Sequence, residues 1–175
     1  MELDLNNEIK NIYRPNDFVI YKNICEKKLP LNEDFFDILK STPCFKEITP
    51  DKLKPGRQWQ VKFNEVTEGN FTVHYETIVS ITKIVSLFEI THLFHIQNRD
   101  PEGLSPILTG RGEAFCMEQL IFEEKIKEYL QKKGYVFSMC YLDVCTAYVF
   151  ENDQHPPLTV ADVLYTDAYT LWKEQ

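Results

Sequence analysis

Residues 57–75 constrain the fold more than any other part of the sequence, because their apolar side chains recur with the two-residue period of a β-strand. Over residues 59–63, Trp, Val and Phe alternate with Gln and Lys. The Glu-Gly-Asn run at residues 68–70 has the composition of a turn, and residues 71–75 resume the alternation with Phe, Val and Tyr. The two alternating runs therefore predict a β-hairpin.

Residues 77–96 extend this β-structure, since they are rich in Ile, Val, Thr and Phe and contain neither glycine nor proline. The run is too long for a single strand. We expect a bend near residues 82–85 and a further strand over residues 86–97, which together give an antiparallel meander.

Three segments have the features of helices. The longest covers residues 113–133 and ends at Gly134, because glycine commonly follows a helix C-terminus. A short helix is expected over residues 33–40, with Asn32 as its N-cap. A last helix is expected from a capping-box sequence at residues 159–162 to about residue 172. The core-facing stripe of the longest helix is expected to comprise Phe115, Phe122, Ile126, Tyr129 and Leu130.

Residues 135–142 and 146–150 are predicted strands, with a turn near Asp143. No linker rich in Gly, Ser or Pro divides the 175 residues, so we expect one globular domain over residues 1–175. The element order predicts an α+β fold. Its core would be an antiparallel β-meander of about four to six strands, packed by a long central helix, a short N-terminal helix and a C-terminal helix.

Acidic residues dominate the charge of the chain. The sequence has 27 Asp and Glu against 19 Lys and Arg, a formal net charge of −8, and more than half of the excess lies in residues 109–175. Such a field repels phosphate backbones and anionic lipid and attracts basic proteins. We therefore expect a basic protein partner and neither a nucleic-acid nor a membrane partner.

The same sequence predicts a soluble, cytoplasmic protein. No stretch free of charged residues approaches the roughly 20 positions that a membrane-spanning helix needs. The first residues, MELDLNNEIK, have neither the basic region nor the apolar region of a secretory signal.

Local catalytic motifs are missing from the sequence. It contains no GxxxxGK(S/T), GxSxG or HExxH pattern. We therefore expect no catalytic residue, no bound metal and no cofactor. His92 falls on the apolar face of its predicted strand, which favours a hydrogen-bonded core histidine over a metal ligand.

A small metal- or ligand-binding enzyme is the alternative. If the strands pair in register, His74 and His95 would converge with Glu76 and Glu89, a ligand set that suits zinc or iron. Arg111, in a predicted Thr-Gly-Arg-Gly loop before the long helix, is placed to hold a phosphate or carboxylate.

The long helix has a second apolar surface opposite its core stripe. At 100° per residue, five side chains fall within roughly 80° of one another: Glu113, Met117, Leu120, Glu124 and Glu128. Two explanations stay open, a helix sandwiched under another element or a docking face for a basic partner. Asp143, Glu151 and Asp153 either extend that face or are solvated loop carboxylates.

These observations favour a non-enzymatic acidic protein that binds and neutralises a basic protein partner. Bacterial immunity and antitoxin-type proteins directed against nuclease-like toxins share this size and acidity, although no motif identifies a particular family. The alternatives are the small enzyme that uses His74, His95 or Arg111, and a subunit of a larger assembly.

Overall fold

An open, mostly antiparallel sheet of seven strands forms the centre of the described structure. The computed structural model describes residues 5–13, 18–48, 54–100, 108–138, 146–147 and 158–168. The strands are β1 (Cys44–Glu47), β2 (Gly56–Lys62), β3 (Val66–Glu68), β4 (Phe71–Thr82), β5 (Leu87–Asn98), β6 (Leu108–Gly112) and β7 (Val136–Ser138). They run in the order β1-β2-β4-β5-β6, while β3 pairs with β4 and β7 pairs in parallel with β5.

The remaining described elements are five helices and a small second sheet. The helices are α1 (Leu5–Ile12), α2 (Phe18–Glu26), α3 (Glu33–Lys40), α4 (Met117–Lys132) and α5 (Val160–Tyr165). The second sheet pairs β8 (Thr146–Ala147) with β9 (Leu158–Thr159). The predicted α+β fold with an antiparallel meander is confirmed, and its sheet has one strand more than the upper limit expected.

The bend prediction is confirmed and the hairpin prediction is confirmed in part, because the predicted turn joins β3 to β4, whereas β2 pairs with residues 76–82 at the far half of β4. Val66 pairs with Val73 across a turn in which Gly69 has φ +57°, a conformation that suits glycine. The chain bends at residues 83–86 between β4 and β5, and the two strands then pair antiparallel along their length. Helix α3 has the predicted bounds, with Asn32 at its N-cap position.

Two hydrophobic clusters pack against the sheet. The alternating residues Val79, Ile81, Phe88 and Ile90 face α3 and α4, which bury Phe35 and Ile126 against them. Leu87 points to the opposite face, where it joins a second cluster formed by α1, α2 and α5. The buried members of this second cluster include Ile9, Tyr13, Tyr21, Val163 and Leu164.

The long helix begins four residues later than predicted. Residues 109–112 were expected to form a loop, but they lie in β6, which pairs with β5. Gly110 makes this pairing compatible with Phe94, because a Cβ atom on Gly110 would lie 2.0 Å from the ring carbon Cε1. The helix ends as expected, with Gly134 at φ +85°.

The helices at the start of the described chain were not predicted, whereas the start of the last helix was. Helices α1 and α2 occupy a region for which the sequence predicted no element. The capping box of α5 is confirmed, since Thr159 Oγ1 accepts from the Asp162 amide at 3.1 Å and Asp162 Oδ2 accepts from the Thr159 amide at 2.9 Å. The helix ends at Tyr165, and the predicted extension beyond residue 168 lies outside the described residues.

The predicted strands near Asp143 are confirmed only in part. Strand β7 pairs with β5 and β8 pairs with β9, so the described residues show no pairing between β7 and β8. The predicted turn at Asp143 lies outside the described residues. Among the helices described, none combines the length and the apolar composition required to cross a bilayer.

The packing of α4 predicts a large difference between two isoleucines of that helix. Ile126 is fully buried, whereas Ile121 is 45% exposed. Ile126→Ala should lower the free energy of unfolding by about 2–5 kcal/mol, because it leaves a cavity against the sheet. Ile121→Ala should change it much less, by about 0.5 kcal/mol, since this side chain lies on the exposed side of the helix. Urea denaturation of both variants measures the difference, and similar losses would contradict the observed orientation of α4.

Candidate functional site

An exposed apolar surface lies at the start of α4 and in the residues just before it. We define the apolar patch as Phe115, Met117, Leu120 and Ile121. Met117 is 66% exposed and Leu120 is 42% exposed, although both belong to the helix that packs the sheet. Four exposed apolar residues fall within seven positions of the chain, which distinguishes the patch from isolated exposed apolar residues.

Helical geometry explains why the patch faces outward. Phe122 and Ile126 are buried against the sheet, and residues 117, 120 and 121 lie on the other side of the helix at 100° per residue. Of the two explanations left open by the sequence, the described residues therefore favour an exposed face over a sandwiched helix.

Gln119 fixes this end of the helix to the sheet. Its side chain is fully buried. Its amide nitrogen Nε2 donates to the backbone carbonyl oxygens of Glu76 at 2.8 Å and Leu93 at 3.2 Å, and its Oε1 accepts from the Phe115 amide at 2.8 Å. One side chain thus connects β4, β5 and the segment that precedes α4. Phe115 was predicted to lie in the core stripe, but it is 39% exposed and packs edge-on against Phe94 at 4.6 Å.

A cleft of about 610 Å³ adjoins the apolar patch. Phe115, Met117 and Leu120 line one side of it, and Ile90 and Phe137 from the sheet line the other. The volume and the apolar lining suit a side chain from a partner or a small apolar group.

A buried polar network borders this cleft. His92 is 2% exposed, and its Nε2 lies 2.7 Å from Glu123 Oε2 while its Nδ1 lies 2.8 Å from Thr77 Oγ1. In neutral His92, Nε2–H donates to Glu123 and the Thr77 hydroxyl donates to Nδ1. Lys127 contacts Glu123, and its ammonium lies 3.9 Å from the centre of the Phe137 ring. The prediction that His92 is a hydrogen-bonded core residue is confirmed.

Burial and charge act in opposite directions on the pKa values of this network. Burial lowers the pKa of His92 below its ordinary 6.5, and this outweighs the hydrogen bond to Glu123, which raises it. Burial raises the pKa of Glu123, but hydrogen bonds from Lys127 and His92 outweigh that effect and the net pKa is lowered. At neutral pH the network therefore pairs a carboxylate with a neutral imidazole and an ammonium.

The network does not have the arrangement of a nucleophilic site. Thr77 is fully buried, so its hydroxyl cannot reach a substrate in the cleft. Burial raises the pKa of Cys116, which also lines the cleft, and this disfavours the reactive thiolate. Thr77, His92, Glu123 and Lys127 contact one another. A ligand or partner protein would therefore bind mainly to the apolar side chains of the cleft.

The predicted interface residues have different outcomes. Met117, Leu120, Glu124 and Glu128 lie on the exposed side of α4. Glu113 precedes the helix, so its predicted place on the helix face is wrong, although it lines the same cleft. The three remaining predicted residues lie outside the described part of the chain: Asp143, Glu151 and Asp153.

The carboxylates near the patch differ in their ion pairs. Glu128 Oε1 lies 2.6 Å from Lys132 Nζ, and both side chains are exposed. Glu124 is exposed and has no ion pair with any described residue. Glu118, which the sequence prediction omitted, is also exposed and lies in the first turn of α4.

The alternative metal site forms only in part. His74 and His95 are directly opposite each other in the β4–β5 register, and His95 Nε2 lies 3.8 Å from Glu76 Oε2. Glu89 pairs with Ser80, farther along the strands, so its predicted convergence with the histidines is wrong. Among the described residues, no group of three or more His, Cys, Asp or Glu is arranged to hold a metal ion.

Arg111 also differs from its predicted role. It lies in β6 opposite Leu93, and α4 begins only at Met117. The predicted anion site, an arginine loop at a helix N-terminus, is therefore wrong.

Comparison with known proteins found no similar protein from which a function for the site could be inferred. No protein-family model matches the chain, and neither a curated protein nor a solved structure is similar enough to count as a match. The exposed apolar patch, its cleft and the carboxylates around it are therefore the basis for a functional proposal.

The low pKa of His92 predicts that stability depends on pH in a specific way. The unfolded chain takes up a proton near pH 6.5, while the folded protein keeps His92 neutral to lower pH. The free energy of unfolding should therefore fall as the pH drops below about 6.5. His92→Gln should remove this part of the dependence, because the glutamine side chain does not take up a proton.

Urea denaturation at about pH 7.5 and about pH 5.5 gives the free energy of unfolding of the parent protein and of His92→Gln. This pH range is chosen because carboxylates remain largely ionised across it. A decline that is equal in the parent protein and in His92→Gln would contradict a neutral buried imidazole.

Proposed function

We propose that this chain is a non-enzymatic binding protein that neutralises a basic protein partner through the apolar patch of α4 and its cleft. The observation that carries the proposal is the position of the patch. Four apolar side chains between residues 115 and 121 are exposed, and three of them, Phe115, Met117 and Leu120, line an open cleft.

The apolar patch would supply most of the binding energy. Protein interfaces depend on a few apolar or aromatic residues that fill desolvated pockets near their centre. Leu120 and Met117 are exposed at the rim of a cleft of about 610 Å³, which can receive an anchoring side chain from the partner. Burial of such groups contributes about 25 cal/mol per Å² of apolar surface.

The surrounding carboxylates determine the charge of the partner. Glu113, Glu118 and Glu124 are exposed around the patch and form no ion pair with a described residue. Two cations lie nearby, Lys125 on α4 and Lys127, which lines the cleft and contacts Glu123. The whole chain adds a net charge of −8. A basic surface on the partner complements this field and associates faster because of it.

The finer assignment within this proposal is a cytoplasmic immunity or antitoxin-type protein of bacterial origin. A nuclease holds an anionic backbone in a basic active-site cleft. An acidic surface with an apolar centre can cover such a cleft and exclude the nucleic acid. The negative charge of the chain and the carboxylates around the patch favour a basic partner over an acidic one.

A pair of leucine variants tests the location of the interface. Leu120 lies in the patch, whereas Leu108 is 57% exposed at the start of β6 and lines no part of the cleft. The immobilised chain should capture a basic protein from a lysate of the native host, and mass spectrometry should identify it. Leu120→Asp should reduce capture at least about tenfold, because it places a charge in a desolvated contact. Leu108→Asp should capture as much as the parent protein.

Equal losses in the two leucine variants would contradict the proposed surface. Specific capture of an acidic protein would contradict the proposed partner chemistry. If the neighbouring open reading frame encodes a basic toxin domain, that domain is the first partner to test in purified form.

A second test addresses the carboxylates. With the purified partner, the association rate should fall as the salt concentration rises, because salt screens the attraction. Glu124→Lys should slow association more than Glu128→Lys, since Glu128 is already paired with Lys132. Stopped-flow or surface-plasmon-resonance measurements give both rates. An association rate that does not change with salt would contradict an electrostatic role for this surface.

A further inference from the structure

A second cleft, of about 450 Å³, has a cationic lining in this acidic protein. Lys27 and Lys28 follow α2, Arg57 lies in β2, and Lys83 lies at the bend after β4. These four cations line the cleft together with two carboxylates, Glu26 and Glu47. None of the residues that line it belongs to the cleft beside the apolar patch.

Both carboxylates of the second cleft already have cationic partners. Glu47 contacts the Arg57 guanidinium, and Glu26 Oε1 lies 4.0 Å from Lys22 Nζ. Lys27, Lys28 and Lys83 form no ion pair with a described residue. Three lysines thus face one cleft without a matched negative charge from the described residues.

Backbone hydrogen bonds at the bend after β4 fix the position of Lys83 in the second cleft. Its amide donates to the Pro55 carbonyl oxygen at 2.7 Å, and Thr82 Oγ1 accepts from the next amide, that of Ile84, at 3.1 Å. The Lys83 side chain is half-buried, and its ammonium donates to the Cys25 carbonyl oxygen. Burial lowers the pKa of Lys83, and the nearby charge of Arg57 lowers it further. An anion bound beside the ammonium would favour its charged form and thus oppose both effects.

An apolar wall lies beside these cations. Leu29, Leu31, Phe36 and Trp59 line it. Trp59 is 3% exposed and packs edge-on against Phe35 at 5.0 Å, so the wall is part of the rigid core. The cleft therefore offers charge-assisted donors on one side and apolar surface on the other.

We propose that this cleft binds a small molecule that carries a phosphate or carboxylate group on an apolar, planar body. The anionic oxygens would accept hydrogen bonds from Lys83 and from Lys27 or Lys28, which are stronger than bonds between neutral groups. The body would lie against the half-buried side chains of Leu29, Leu31 and Phe36. This site is independent of the α4 surface, so either assignment can fail without the other.

Titration calorimetry with phenyl phosphate, phenylacetate and inorganic phosphate tests the site on the full chain. One of the aromatic anions should bind saturably, and the tighter of the two shows whether the ligand group is a phosphate or a carboxylate. Inorganic phosphate should bind more weakly, because it lacks the apolar body. The indole N–H signal of Trp59 should shift in the NMR spectrum on binding, because this residue lines the cleft.

Charge variants give the direction of each effect. Lys83→Gln should weaken binding about tenfold, the cost of one charge-assisted hydrogen bond. Glu47→Gln should tighten binding, because it removes a competing anion from Arg57 and retains the Lys83 contacts. Lys125→Gln, an exposed lysine of α4, should have no effect. Glu47→Gln also tests the site if Lys83→Gln fails to fold.

Three results would overturn the proposal. The first is that neither aromatic anion binds saturably to the parent protein. The others are an equal affinity of the parent and folded Lys83→Gln, and weaker binding to Glu47→Gln than to the parent. Inorganic phosphate that binds as tightly as phenyl phosphate would overturn the role of the apolar wall.

Discussion

The pairing of β4 with β5 positions almost everything else in the described structure. Both strands have twelve residues, and their register places Val79 opposite Ile90 and Ile81 opposite Phe88. These residues form the surface on which α4 packs. A slip of one residue would turn this set to the opposite face and leave α4 without a core. The same register places Thr77 opposite His92, from which the polar network continues to Glu123 on α4.

The sequence predicted those elements that depend on residues close together in the chain. The two-residue alternation, the turn at Gly69 and the capping box at Thr159 all appear where the sequence places them. Helices α1 and α2 do not follow from local patterns, because distant contacts stabilise them. Tyr13 donates to the Val163 carbonyl oxygen at 2.6 Å, and Tyr21 donates to Asp167 Oδ1 at 2.9 Å. Strand β6 was missed for a similar reason, since its glycine accommodates the ring of Phe94.

The candidate sites show the same division. Helical periodicity was enough to place Leu120 and Glu124 on one side of α4, but only the packing of the helix shows that this side faces outward. Gln119 gave no recognisable signal, because a buried amide in a helix has meaning only beside the carbonyl groups it satisfies. The second cleft, with its cationic lining, contains Lys28 and Lys83, which are far apart in the sequence. They lie near each other only because of the bend after β4.

The anchoring of α4 by Gln119 has a thermodynamic consequence. Helix termini usually fray, and an interface built on a frayed end must first become ordered. Here one buried amide joins the first turn to two strands, so the outward side chains are carried on a backbone that is already rigid. Contact with another molecule at this place would therefore cost side-chain freedom but little backbone entropy, and its shape would change little between the free and the bound protein.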